Sequence, residues 1–407
     1  MLHSRLLALA ALLAALVVLP ACDSGGGTTE PPPNDTILFG LNYTRLFAPP
    51  TAAEVMGVRE DWADRNPQTA GTKTVASAEI GDATYRVLQH TVSTSNGESV
   101  THVGIVRIPL GATNLPVVVV HHGGDDGFSI NASTSNTGVE QWVAAFPELA
   151  SQTVQAWPVY RSETIEAGTD IPAGPFTASG DPSPWDYDVD DSIAFLTATL
   201  ERWADETDSG NVVAMGMSRG ANTALLHAIR DDRIGAVVDY YGPADFYNAG
   251  AQTLATGVLT GNARALNLPG AQYLFDNVLD PLRTETGDYN ANADYATARL
   301  EVLRRSASAF TTDLPDTQVH HHYRDGVVPI TFSQALAESV AANGSGGSFE
   351  FFPYGTPPAS PADASLIFHA PEVSPEMQPS LSTVQSFLLN AVGLGNASRR
   401  PALALTY

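Results

Sequence analysis

Residues 211–228 read Asn211-Val-Val-Ala-Met-Gly216-Met217-Ser218-Arg219-Gly220-Ala221-Asn-Thr-Ala-Leu225-Leu-His-Ala228. The apolar run Val212, Val213 and Ala214 predicts a strand, while Ala221, Ala224, Leu225 and Ala228 recur at helical spacing. Between them lies Gly-x-Ser-x-Gly. A turn this sharp tolerates little more than glycine at its flanks. It thrusts the serine oxygen clear of the sheet, above a helix N-terminus that favours negative charge. Ser218 is therefore the candidate nucleophile.

Working outward, the same strand–helix rhythm continues. Residues 83–92 and 98–109 read as strands joined by the Ser95-Asn96-Gly97 turn. The β-branched run Leu115-Pro-Val-Val-Val-Val120 has no polar face, as a parallel strand buried on both sides requires. Further strands are expected at 153–160, 211–216, 234–241, 317–322 and 348–354. Helical patterns fall between them, at Ile193, Leu196, Leu200 and Trp203, at 221–231, and at Leu381, Val384, Leu388 and Ala391. Asp188, Asp190 and Asp191 stand near the start of the first of these, where carboxylates suit the helix dipole. Such alternation predicts a mostly parallel sheet covered by helices on both faces, with antiparallel strands at one edge. About seventy residues interrupt it between Tyr241 and Thr317, with a helix near 296–305. An insertion of that length, about 246–312, is expected to be a lid over a site or a structural excursion. Its Leu259, Leu266, Leu268, Tyr273, Leu274 and Phe275 could line an acyl pocket or form a small core of their own.

A serine nucleophile needs a base, and the base needs an orienting acid. Three stretches bear on this: Val117-Val-Val-Val-His121-His122-Gly123-Gly124, His321-His322-Tyr323-Arg324-Asp325-Gly326-Val327-Val328-Pro329, and His369 ahead of the last helix. With the serine turn, they make the chain resemble the α/β-hydrolase family, chiefly its prolyl-oligopeptidase-like and dienelactone-hydrolase-like branches, over roughly residues 83–392. The resemblance implies Ser218 as nucleophile, Asp325 as acid and His369 as base, in that chain order. It also implies an oxyanion hole from the backbone N–H groups of Arg219 and Gly124. No cofactor and no metal are expected.

Each assignment has a rival. Asp245, in Tyr241-Gly-Pro-Ala-Asp245, could be the acid or a turn residue closing its strand. The run His320-His321-His322 invites a metal reading, but successive strand residues point to opposite faces and cannot converge on one ion. His322 also stands where the family carries glycine, which puts the geometry of that loop in question. Asp125 and Asp126, next to the hole, should face solvent or a cation, with Arg161 as the candidate partner.

Acyl transfer to water follows, with a small-molecule ester or a short peptide as substrate. Only about fifty residues lie between the tether and the first strand, so no β-propeller of the prolyl-oligopeptidase kind is expected to fit, which favours an ester. The other classes are a propeller-less peptidase and an inactive binding protein on a hydrolase scaffold.

Composition supports one large α/β body. The 407 residues are 43% hydrophobic, so one core can be filled. Asp+Glu 44 against Lys+Arg 20 gives a net charge of -24, which repels nucleic acid and anionic lipid. The surplus reads as a solvated coat suited to salty surroundings. Cys22 is the only cysteine, which excludes an intrachain disulfide. Arg5 and the apolar run Leu6–Leu19 have the order of a secretory leader, and Leu19-Pro20-Ala21-Cys22 resembles a bacterial lipobox. The expected plan is a leader at 1–21, a Gly/Pro-rich tether at 22–36 and a hydrolase domain at 37–397. Cys22 would be lipidated and the protein held at the cell envelope by that lipid alone.

Overall fold

The computed structural model describes residues 35–130, 138–166, 171, 174–262, 265, 268–358, 366–369, 371 and 374–395. The expected leader, Cys22, nearly all of the expected tether and Leu266 lie outside the described residues.

Among the described residues nine strands form one sheet: β1 Gln68–Ile80, β2 Ala83–Ser93, β3 Ser99–Pro109, β4 Leu115–His121, β5 Val154–Pro158, β6 Thr207–Met217, β7 Ile234–Tyr240, β8 Asp316–His322 and β9 Phe349–Tyr354. Their spatial order is β9-β8-β7-β6-β4-β5-β3-β2-β1. Strands β4 to β9 run parallel, and β1, β2 and β3 form an antiparallel meander that joins at β5. The chain thus winds outward from β4 through β5, then back past β4 to β6, and continues to the far edge. This order, with a sharp serine turn after β6, is the α/β-hydrolase fold.

Alternation along the central strands explains the two-sided core. Val117 and Val119 of β4 join one apolar cluster, with helix α2 (Tyr187–Arg202) and helix α3 (Arg219–Arg230). Val118 and Val120 join the other, with Trp142, Phe146 and helix α5 (Gln378–Ala391). Successive strand residues point to opposite faces, so an unbroken valine run fills both clusters. The insertion between β7 and β8 carries helix α4 (Ala249–Leu259), capped by the Asn248 side chain, which accepts from the Gly250 and Ala251 N–H groups. Among the described residues no helix is long and apolar enough to cross a membrane.

Two expectations need correction. The sheet begins one strand earlier than the sequence reading placed it, at β1. This edge strand is half-exposed and built from small and polar residues, so it lacks an apolar alternation to announce it. Lys73, an exposed charge of the kind that discourages edge-to-edge pairing, lies on it. The second correction concerns Asp188, Asp190 and Asp191. They are buried, not merely placed for the helix dipole, and they pair with arginines. That part of the acidic surplus is not a solvated coat.

Candidate active site

The serine turn follows the geometry its glycines require. Ser218 has φ 56 and ψ -125, a conformation that costs a side chain on the order of 1–3 kcal/mol. Its N–H donates to the Tyr240 carbonyl at 2.9 Å, and its own carbonyl accepts from Ala221 N–H at 3.0 Å. A Cβ on Gly216 would sit 2.1 Å from the Gly220 carbonyl oxygen, and one on Gly220 would sit 2.3 Å from that of His121. Both obstacles are backbone, so neither can move aside.

Three distant segments meet here. His369 Nε2 lies 2.9 Å from Ser218 Oγ, and His369 Nδ1 lies 2.7 Å from Asp325 Oδ2. A carboxylate can only accept, so Nδ1 carries the proton and Nε2 is left to accept from the serine hydroxyl. Tyr241 packs against the imidazole, with ring centroids 4.3 Å apart. The other oxygen of Asp325 accepts from the N–H groups of Val327 at 2.7 Å and Val328 at 3.0 Å. Burial alone would raise the Asp325 pKa. The His369 charge and hydrogen bonds from His321 and His369 outweigh it and hold the group at about 2. Asp245 is a turn residue: it accepts from Tyr247 N–H and Asn248 N–H and ties the insertion to Ser308.

The histidine run does not converge. His321 Nε2 faces the Val328 carbonyl at 2.9 Å and must donate, so Nδ1 accepts from Ser333 Oγ at 2.7 Å. This pins the acid loop. His320 Nδ1 is 2.8 Å from the Tyr354 hydroxyl, on another side. His322, in the place of the family's glycine, stacks on Phe368 at 4.2 Å and reaches Glu376 at 2.6 Å. Arg324 covers the same ring at 4.5 Å. The substituted histidine therefore clamps the residue next to His369. Among the described residues no cluster of histidine, cysteine and carboxylate could hold a metal.

β4 and β6 are neighbours, with His121 in register with Gly216, so the loop after β4 lies beside Ser218. A Cβ on Gly123 would meet Ser218 Cβ at 3.3 Å. His122 Nδ1 binds the Gly123 carbonyl at 3.0 Å, and Gly124 adopts φ 80, a left-handed conformation suited to glycine. A trans peptide sends its N–H opposite its carbonyl, so this anchor leaves the Gly124 N–H on the far side. Arg219 opens α3, where the backbone N–H has no partner within the helix.

The Arg219 side chain was not singled out by the sequence reading. It is buried, pairs with Glu163 and with Asp188 (2.6 Å), lies over the Tyr160 ring at 4.5 Å and donates to the Gly124 carbonyl at 3.2 Å. It thus joins the serine helix to the glycine loop. An arginine inside an otherwise apolar turn was the available signal, because buried arginines are paired. Its partners lie 56 and 31 residues away and carry no local mark. Burial, aided by Asp188, pushes Glu163 up to about 7 against the pull of Arg219. Asp125 and Asp126 are exposed, as expected. Arg161 is not their partner: it binds Asp191 at 2.8 Å and Glu98 at 3.2 Å, held by α2.

Ser218 also opens onto a cavity of about 120 Å³. Its walls come largely from the insertion, including Leu254, Val258, Leu274, Phe275 and Val278. Of the sequence candidates, Leu268, Leu274 and Phe275 line it, whereas Leu259 and Tyr273 do not. Trp185 is on the wall too, its indole N–H spent on the Arg219 carbonyl at 2.9 Å.

No protein-family profile and no curated protein matches this chain. Solved structures resemble it at low identity. The rice cell wall degrading esterase LipA from Xanthomonas oryzae is 15% identical, with TM-score 0.49, covering 80% of this chain and 99% of that one. Acetyl xylan esterase 1 from Thermoanaerobacterium sp. is 15% identical, TM-score 0.47, covering 79% and 94%. An S-formylglutathione hydrolase from Agrobacterium tumefaciens is 13% identical, TM-score 0.44, covering 79% and 100%. Likeness of this size leaves the fold to the chain's own strand order and serine turn, and by those it is an α/β-hydrolase fold.

Proposed function

We propose that the protein is a serine hydrolase that cleaves carboxylic esters through an acyl-enzyme. The reading is carried by one observation: His369 bridges Ser218 Oγ at 2.9 Å and Asp325 at 2.7 Å, on a strained strand-to-helix turn. His369 Nε2 takes the serine proton as Oγ bonds to the ester carbonyl carbon. The oxygen turns negative, and the N–H groups of Arg219 and Gly124 are assigned to receive it. Collapse breaks the carbon–alkoxide bond, and His369 returns the proton to the departing alcohol. Water then repeats the sequence and frees the acid. Asp325 keeps the imidazole in the working tautomer and offsets its positive charge.

The cavity favours an ester over a peptide. Among its described lining residues only Ser218, Trp185 and Arg219 carry polar side-chain atoms. The indole N–H is spent on the Arg219 carbonyl and the terminal guanidinium nitrogens on Glu163 and Asp188, so Arg219 Nε alone is left, too little to pair with a peptide's buried amides. Ser218→Ala should lower turnover of p-nitrophenyl acetate by at least about 10⁴-fold and abolish labelling by a fluorophosphonate. Wild-type rates in that variant would refute the nucleophile. Peptide anilides in the same assay test the peptidase alternative. A wild-type chain that neither turns over nor labels would be the inactive scaffold.

The same proposal places the body at the cell envelope on a lipid at Cys22, supported by Arg5, the run Leu6–Leu19 and the box ending at Cys22. Cys22→Ser should move the protein from the membrane to the soluble fraction, and unchanged membrane association would count against lipidation.

A further inference from the structure

We infer that the cavity beside Ser218 binds an unbranched aliphatic chain of the ester, of about five carbons, so that medium-chain esters are the substrates. This rests on the hydrolase reading above.

Continuity is the primary observation: Ser218 is itself part of the cavity wall, so whatever fills the space is attached to, or adjacent to, the reacting carbonyl. Chemistry is the second. Phe246, Leu254, Val258, Leu274, Phe275 and Val278 offer only carbon. Of the polar side-chain atoms beside the serine, the Trp185 indole is committed to the Arg219 carbonyl and the two terminal Arg219 nitrogens to Glu163, Asp188 and the Gly124 carbonyl. Only the buried Arg219 Nε has no partner, so a sugar or a polar acyl group would bury more hydroxyls than this single donor could pair, which is unfavourable. A hydrocarbon chain would lose nothing and gain its own burial, about fourfold in binding for each methylene.

Volume is the third. An apolar cavity of roughly 150 Å³ takes up benzene, six carbons, so about 120 Å³ accommodates a chain of about five. Its depth is set by small residues. Ala251, Leu254, Ala255 and Val258 all line the cavity, and their spacing puts them on one face of α4. The two alanines leave open the space that larger side chains would fill.

The test compares kcat/KM for p-nitrophenyl esters from acetate to dodecanoate, with alkyl acetates of graded length as a second series. The first reports a chain on the acyl side, the second a chain on the alcohol side. In one of them kcat/KM should rise at least tenfold from the shortest member to five or six carbons, then fall. Ala255→Phe should lower the hexanoate-to-acetate (or hexyl-to-ethyl) ratio at least tenfold, with an unchanged melting temperature. Ala251→Val serves if the larger substitution prevents folding. Flat or acetate-preferring profiles in both series would overturn the inference, as would a folded variant with unaltered ratios, while leaving the hydrolase reading intact. Absence of all ester turnover and of fluorophosphonate labelling would overturn the hydrolase reading and the chain assignment with it.

Discussion

Two neighbourhoods of opposite chemistry meet at Ser218 and Arg219. The cavity is walled largely by aliphatic and aromatic side chains from the insertion, most of them packed on one another without directional bonds. Below the serine helix lies a buried lattice of charge. Arg219 binds Glu163 and Asp188, Arg161 binds Asp191, Arg65 binds Asp186 and Asp190, and Arg230 binds Asp190. The lattice connects helix α1 (Ala52–Arg65), α2, α3 and the segment after β5. Dispersion forces average over many weak contacts, so the cavity wall can be resized residue by residue. A buried ion cannot lose its partner without becoming an uncompensated charge. The part of the site that should tolerate resizing is therefore its apolar side, and the part that should not tolerate loss of a partner is the charged floor that holds the glycine loop against the serine.

That contrast is open to direct attack, and the largest effect is expected from Arg219→Met. It strands Glu163 and Asp188 and frees the Gly124 carbonyl, and should cost about 3–5 kcal/mol in urea unfolding. Turnover should fall by roughly 10²-fold, since the loop assigned to the oxyanion loses its anchor. Ala255→Phe, on the cavity side, should alter chain selectivity while leaving the melting temperature in place. If both variants behaved alike, the division between floor and wall would be false.

Glu163→Gln should give the smallest change, and its sign is informative. Burial raises Glu163 to about 7 in the folded protein, above its unfolded value near 4.5. The folded state then holds the extra proton between those pH values, so this group's stabilising contribution is full below about pH 4.5 and is lost as pH rises through about 7. Glu163→Gln should reduce the decline in melting temperature between pH 5 and pH 8. Asp325 behaves oppositely: lowered to about 2, it contributes above about pH 4 and loses that contribution only as pH falls through 2. A steeper decline in the Glu163 variant would show that Arg219 dominates its ionisation.

The site was legible where chemistry is local. Gly216 and Gly220 are forced by backbone contacts within a few residues or across one register pair, and the spacing around Ser218 records that. Asp325 was legible only through the likeness of its stretch to the family's acid segment; the two N–H groups of the next turn that hold it appear in the structure. His322 was visible as a departure, but its use was not, because Phe368 and Glu376 arrive from other segments. Strand β1 escaped detection since an edge strand needs little apolar surface. Arg161 was matched to Asp125 or Asp126 as the cation after the next strand, whereas α2 passes closer in space and supplies Asp191.

What the sequence by itself determined is the succession of strands and helices and the serine turn, because these follow from periodic burial and short-range sterics, whereas Asp325 and His369 were named by the resemblance of their stretches to the α/β-hydrolase family. Only the tertiary structure decided which carboxylate answers which arginine and how large a space opens beside the serine. Those depend on distances between segments tens of residues apart. A charge or a methyl group carries no label for the partner it will meet once the sheet has closed.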